Sequence, residues 1–231
     1  MSRGTWPTSA AAAAFRYADP VRGRFITFEG IEGVGKTTQA ALAAGYLRTR
    51  GIPVVETREP GGTPLAEQLR VLVLEPRERP LGVTVELLMI FAARASHVAD
   101  KIRPALRRGH WVLCDRFTDA TLAYQGGGSG VNTAWIRQLA RIAHPRLTPD
   151  LTFLFDAPPA VARSRVAGRG HRPDRFETEN AAFFERVRQA YLDLAAREPG
   201  RLRIIDATAN EGAVAAAVRR AIDAAFPPAG S

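Results

Sequence analysis

The run Gly30-Ile31-Glu32-Gly33-Val34-Gly35-Lys36-Thr37 restricts this chain more than any other stretch, because it spells the pattern G-x-x-x-x-G-K-[ST]. The apolar segment Arg24 to Glu29 precedes it and reads as a buried strand. Thr38 to Arg50 follows, with Leu42, Ala43, Tyr46 and Leu47 at helical spacing. Strand, glycine-rich loop and helix in that order make a phosphate cradle. The glycines let backbone N–H groups curl around phosphate oxygens, and the helix N-terminus adds a favourable dipole. In such a loop Lys36 reaches the β- and γ-phosphates, and the Thr37 hydroxyl holds Mg²⁺. A lysine here is not background: of the 32 Lys and Arg residues, only Lys36 and Lys101 are lysine.

The length of 231 residues suits one domain with a substantial core. A net charge of +9 and a pI near 10.8 raise nucleic acid as a partner. The arginines, however, are spread along the chain rather than gathered into a stripe with interleaved aromatics. The expectation is therefore an anionic small-molecule substrate and no nucleic-acid surface. The single cysteine, Cys114, lies in the apolar run Trp111 to Cys114, which excludes an intramolecular disulfide, predicts a core thiol and suits a reducing cytoplasm. No apolar stretch approaches a membrane span. Met1 to Pro20 contains Ala10 to Ala14 but no leucine-rich core, so it reads as a loose extension rather than a secretory signal. Residues 1–22 are assigned to that extension and 23–227 to one domain.

Helical and strand patterns alternate from there on, which predicts an α/β fold with a mostly parallel sheet. Ile52 to Glu56 reads as a strand running into the turn Thr57-Arg58-Glu59-Pro60-Gly61-Gly62-Thr63. Leu65 to Leu74 is a short helix, and Val83 to Arg108 a long one with Glu86, Leu87, Ile90, Ala93, Arg94 and His97 along its face. The strand Trp111 to Cys114 ends in Asp115-Arg116. A carboxylate there is placed to serve Mg²⁺, and the arginine offers a forked grip on phosphate. Three glycines, Gly126 to Gly128, predict a flexible turn within Thr118 to Gly130. Helices over Trp135 to His144, Pro158 to Val166, Phe176 to Arg197 and Glu211 to Phe226 alternate with strands over Leu151 to Phe155 and Leu202 to Asp206. The arginine-dense segment from Arg163 to Arg175 repels itself when empty and orders around a polyanion, so residues of about 163–177 are expected to act as a lid.

These motifs, taken together, resemble the thymidylate kinase family in its bacterial form. The signatures are Phe28 to Thr38, Thr57 to Thr63, Ala92-Ala93-Arg94, Asp115-Arg116-Phe117, Ala123-Tyr124-Gln125-Gly126 and Asp174-Arg175-Phe176-Glu177. The resemblance runs from about Phe25 to Phe226. It implies a five-stranded parallel sheet flanked by helices with a mobile lid, the P-loop nucleoside monophosphate kinase fold, and usually a homodimer. It implies transfer of the γ-phosphoryl of MgATP to dTMP, giving dTDP and ADP. Gly30, Ile31, Glu32, Gly33, Val34, Gly35, Lys36, Thr37 and Thr38 would hold ATP, with Thr37 and Asp115 at the metal. Glu32, Arg58, Ile90, Arg94, Arg116, Thr121, Tyr124 and Gln125 would line the acceptor site. There Arg58 and Arg116 fix the phosphate, Arg94 reaches the thymine edge, and Tyr124 crowds the sugar 2′ carbon.

Gly33 stands where another branch of the family carries a loop arginine. Phosphoryl transfer needs positioned positive charge, so the lid arginines Arg165 and Arg169 join Lys36, Asp115 and Arg116 as the expected catalytic set. On that reading Arg169→Ala lowers turnover on the order of 10³-fold with little change in dTMP binding. Two positions depart from the family pattern. Ile90 replaces the phenylalanine that stacks on thymine, and Ala120 replaces a serine near the acceptor. Two other readings therefore stand beside dTMP kinase: a kinase of the same fold for another (deoxy)nucleoside monophosphate, and a P-loop ATPase or nucleotide switch with no acceptor.

Overall fold

The computed structural model describes residues 22–167, 175–176 and 179–227. Most of the residues expected to form the lid, Arg169 among them, lie outside that set, as does nearly all of the N-terminal extension.

Five strands form one parallel sheet: β1 (Phe25–Glu29), β2 (Val54–Arg58), β3 (Trp111–Asp115), β4 (Leu151–Asp156) and β5 (Leu202–Asp206), in the order β2-β3-β1-β4-β5. β1 lies between β3 and β4, so the glycine-rich loop leaves the sheet where the strand order reverses, the place where such sheets open a ligand crevice. The alternation of side chains divides the core between two faces. Ile26, Phe28 and Leu113 point into the larger cluster, with Leu47, Val187 and Val218. Phe25, Val112 and Cys114 point into the other, with Ile102 and Leu106. Each fully buried Phe or Leu contributes about 1.5–3 kcal/mol relative to exposure.

The helices are α1 (Lys36–Thr49), α2 (Pro64–Leu74), α3 (Val83–His97), α4 (Arg103–Arg107), α5 (Thr118–Thr121), α6 (Thr133–Ala143), α7 (Pro159–Ala167), α8 (Ala181–Arg197) and α9 (Glu211–Ala225). Side-chain caps from Thr63, Asn132, Asn180 and Asn210 start α2, α6, α8 and α9. The expected long helix from Val83 is continuous in path, but Val98–Ile102 has the wider π pattern. Pro104 lacks the N–H that an α-helix would donate to the Asp100 carbonyl, and the wider turn absorbs that gap.

Three expectations are corrected. The second strand runs two residues later than Ile52 to Glu56, so Thr57 and Arg58 belong to the sheet rather than to the turn. Phe176 lies outside the following helix, which starts at Ala181 behind its Asn180 cap. The glycine-rich stretch is not a flexible turn: Leu122–Gly128 is a π-helical segment packed on α8. A Cβ on Gly128 would lie 2.5 Å from Cε2 of Phe183, so glycine here permits close approach. Cys114 is buried as expected, and burial raises its thiol well above the usual range.

Candidate active site

The loop's geometry follows from the sheet. β1 and β3 pair in parallel with Phe28 opposite Asp115, so the carboxyl end of β3 lies beside the start of the loop. Asp115 and the first turn of α1 therefore meet: the Thr37 hydroxyl donates to Asp115 Oδ2 at 2.5 Å. Lys36 is buried and donates to the Ile31 carbonyl at 2.7 Å, which curls its chain back over the loop. Burial, and then the neighbouring Arg116, lower its ammonium from 10.5 to about 8 against the opposing pull of Asp115, Glu32 and Glu29. Gly33 has a φ of +82°, and a Cβ there would lie 2.1 Å from the Ala162 carbonyl oxygen of α7. No arginine fits at that position unless α7 withdraws.

Beside the loop is a cavity of about 90 Å³ walled by Glu32, Glu59, Arg70, Ile90, Arg94, Arg116, Phe117, Ala120, Thr121, Tyr124, Gln125 and Phe176, among others. At its loop end, Arg116 has a positive φ of 70° and donates to the Gly30 carbonyl at 3.0 Å, to Glu32 Oε1 at 2.7 Å and to the Tyr124 hydroxyl at 3.1 Å. The Tyr124 hydroxyl donates in turn to Glu32 Oε2 at 2.6 Å. Glu32 thus turns from the phosphate cradle toward the cavity, as a carboxylate in an anion-binding loop must.

Arg94 governs the other end. Its Nε donates to Glu59 Oε2 at 2.6 Å, and its Nη2 donates to the Phe117 carbonyl at 3.2 Å and to Thr121 Oγ1 at 3.0 Å. Glu59 is shared: its Oε1 lies 2.9 Å from His97 Nδ1, and His97 Nε2 lies 2.7 Å from Thr57 Oγ1. Burial would raise the Glu59 carboxyl, but Arg94 and His97 outweigh it and hold it below its usual value. Among the described residues, Arg94 Nη1 is buried without a hydrogen-bond partner. A buried donor left unmade costs roughly 1–3 kcal/mol, which makes it a place for a ligand acceptor.

Most of the residues singled out in the sequence are brought together here: Glu32, Ile90, Arg94, Arg116, Thr121, Tyr124 and Gln125 line one cavity, next to Lys36, Thr37 and Asp115. Arg58 does not line it; its side chain is half exposed and paired with Glu67 at 2.9 Å. Arg165 is exposed and donates to the Ala207 carbonyl at 2.8 Å, while Arg169 is outside the described residues. Phe91 faces away from the cavity into a cluster with Leu87 and Ile136, its ring 4.7 Å from the Arg94 guanidinium, so it does not replace the missing aromatic at Ile90.

Sequence reasoning missed Glu29. Fully buried, it accepts from the Phe117 N–H at 2.7 Å and from the Tyr191 hydroxyl at 2.8 Å, which fixes the backbone beside Arg116. Burial, then Asp119, raise it to about 7 against the pull of Arg116 and these two donors. A glutamate ending a buried strand was the signal. Among the described residues, no group of three or more His, Cys, Asp or Glu side chains could hold a metal. The Thr37 hydroxyl with the Asp115 carboxylate suits a hard cation that keeps most of its oxygen ligands from water and phosphate.

A family model described as thymidylate kinase matches residues 28–218. The thymidylate kinase of Chromohalobacter salexigens is 55% identical over 197 residues, 85% of this chain and 93% of that protein. That of Pseudomonas entomophila is 55% identical over 205 residues, 89% of this chain and 95% of the other. The crystal structure of thymidylate kinase from Ehrlichia chaffeensis superposes with a TM-score of 0.71 at 36% identity, covering 87% of this chain and 99% of that one. A P-loop, an adjoining cavity that begins at the loop's Glu32 and its partner Arg116, and a sequence match across both place this chain in the thymidylate kinase family.

Proposed function

We propose that the chain transfers the γ-phosphoryl of ATP to the 5′-phosphate of dTMP, giving dTDP and ADP. The observation that carries the reading is the cavity that begins at Glu32 of the loop and ends at the unpartnered Nη1 of Arg94. It supplies a phosphate grip, a sugar contact and a base-reading donor in line with the nucleotide cradle. The loop amides from Gly30 to Thr38 and Lys36 hold the ATP phosphates. Arg116 exchanges Glu32 for the acceptor phosphate, Glu32 then accepts from the sugar 3′-hydroxyl, and Tyr124 excludes a 2′-hydroxyl. Arg94 donates from Nη1 to a carbonyl of thymine. Thr37 and Asp115 would hold Mg²⁺, which when bound neutralises charge on the transferring phosphates.

Arg165 and Arg169 supply the cationic charge that Gly33 cannot. The cavity of about 90 Å³ is smaller than a nucleotide, and Phe176 forms one wall while Arg175 pairs with Glu86. Entry of the acceptor therefore displaces this part of the lid. The reading places the whole activity in residues 23–227 and the protein in the cytoplasm, where its single buried thiol stays reduced. It also includes a homodimer, for which the exposed Leu65, Val71 and Leu72 of α2 and Val85 and Leu88 of α3 offer an apolar face.

A coupled assay of ADP release across dTMP, dUMP, dCMP, dGMP and their ribose forms tests the reading. It predicts the highest kcat/KM for dTMP. Preference for a purine would end it, and ATP hydrolysis independent of any monophosphate would favour a switch. The family match favours neither alternative.

A further inference from the structure

We propose that the chain carries a second anion site, for a nucleoside polyphosphate, in the cleft between α6 and the segments Phe117–Leu122 and Arg146–Pro149. The cleft encloses about 290 Å³, near the lower bound of small-ligand pockets. Its floor is apolar, with Phe117, Leu122, Leu147 and Pro149. Its rim is cationic: Arg137 and Arg141 stand one turn apart on α6, and Arg146 follows that helix at a φ of 58°. Among the described residues none of these three guanidinium groups has an ion-pair or hydrogen-bond partner.

The wall opposite carries one net negative charge. Arg201 pairs with both Asp119 at 2.6 Å and Glu198 at 2.9 Å, which holds the two carboxylates to the wall and turned from the rim guanidinium groups. His144 is lowered to about 4 by burial and then by Arg94, so it is neutral near pH 7. Three rim guanidinium groups without carboxylate partners, over an apolar floor, match a nucleoside carrying two or three phosphates, which offers each fork its own phosphoryl oxygens; a single phosphate leaves donors unused.

The cleft shares a wall with the cavity that holds Arg94. Phe117 lines both, with its ring 4.8 Å from that of His144 on one side and 5.3 Å from the Arg94 guanidinium on the other. A ligand that moves Phe117 also moves the carbonyl to which Arg94 Nη2 donates. Occupancy of the cleft therefore changes the KM for the acceptor more than that for ATP.

The test titrates dTTP calorimetrically into protein saturated with a mimic in which adenosine and thymidine are joined through their 5′ oxygens by a polyphosphate. One further dTTP per chain is expected. In the double variant Arg137→Ala, Arg141→Ala that event weakens on the order of tenfold or more, with basal dTMP turnover unchanged. No dTTP bound beyond the mimic, or equal binding by the variant, overturns the proposal. Inorganic tripolyphosphate binding as tightly as dTTP overturns the nucleoside part of it. Absence of dTMP turnover in the unaltered protein is a failure of the functional reading instead; the double variant keeps that turnover because neither arginine lines the cavity beside the loop.

Discussion

Arg116 and Arg94 enter the same cavity under opposite regimes. Arg116 is partly exposed and paired with a Glu32 that is itself near solvent, 17% and 18% exposed respectively. Arg94 and its partner Glu59 are each only 2% exposed. An ion pair with access to water can open, because solvent replaces the lost partner; a buried one cannot, because each charge would be stranded. The difference assigns the work. Arg116 can release Glu32 to take a phosphate, whereas Arg94 is held by Glu59, Thr121 and the Phe117 carbonyl with one donor left over. The first grips, and the second reads.

The contrast breaks first at Arg116. Arg116→Ala is expected to lower kcat/KM for dTMP on the order of 10³-fold while leaving stability nearly intact. A fall of less than about tenfold in steady-state kinetics would contradict the phosphate grip. Arg94→Ala should do the reverse, removing about 3–5 kcal/mol of stability in urea unfolding because Glu59 stays buried without its main partner. A loss under about 1 kcal/mol would mean that Arg94 is as free to move as Arg116.

A smaller change sharpens the reading end. Ile90 lines the cavity where the family has a stacking aromatic, so Ile90→Phe should tighten dTMP binding by roughly tenfold without altering ATP affinity. Equal tightening of both would show that the position does not face the base. Finally, Lys36 lies near 8 in the free protein, below its usual 10.5. Polyphosphate favours the protonated form, so the apparent KM for ATP should rise as pH increases through about 8, with the dTMP KM following less steeply. A flat ATP profile between pH 7 and 9 would place the Lys36 ammonium outside the phosphate contacts.

Much of this was legible in the sequence because local pattern and chemistry agree there. The loop from Gly30 to Thr37 carries its own strand and helix signals, and Asp115-Arg116 ends an apolar run at a strand terminus. Other features depend on contacts between distant segments, and no spacing encodes them. Glu59 becomes the shared partner of Arg94 and His97 only when the end of β2 is packed against α3. Gly126 to Gly128 read as a flexible turn because glycine usually marks one; the structure uses the missing side chains of Gly127 and Gly128 to seat Leu122–Gly128 against α8. The strand ending at Arg58 was placed two residues early for a similar reason. Glu56 to Arg58 carry charges suited to a loop, yet an edge strand tolerates them because one side of it faces solvent.

The most direct measurement is a crystal structure with thymidine and adenosine joined through their 5′ oxygens by a polyphosphate. The account predicts Arg94 unmoved with Nη1 within hydrogen-bond distance of a thymine carbonyl, and Arg116 turned from Glu32 to the phosphate beside thymidine. A complex in which protein side chains fill the space between Glu32 and Arg94, with the thymidine bound elsewhere, would contradict it.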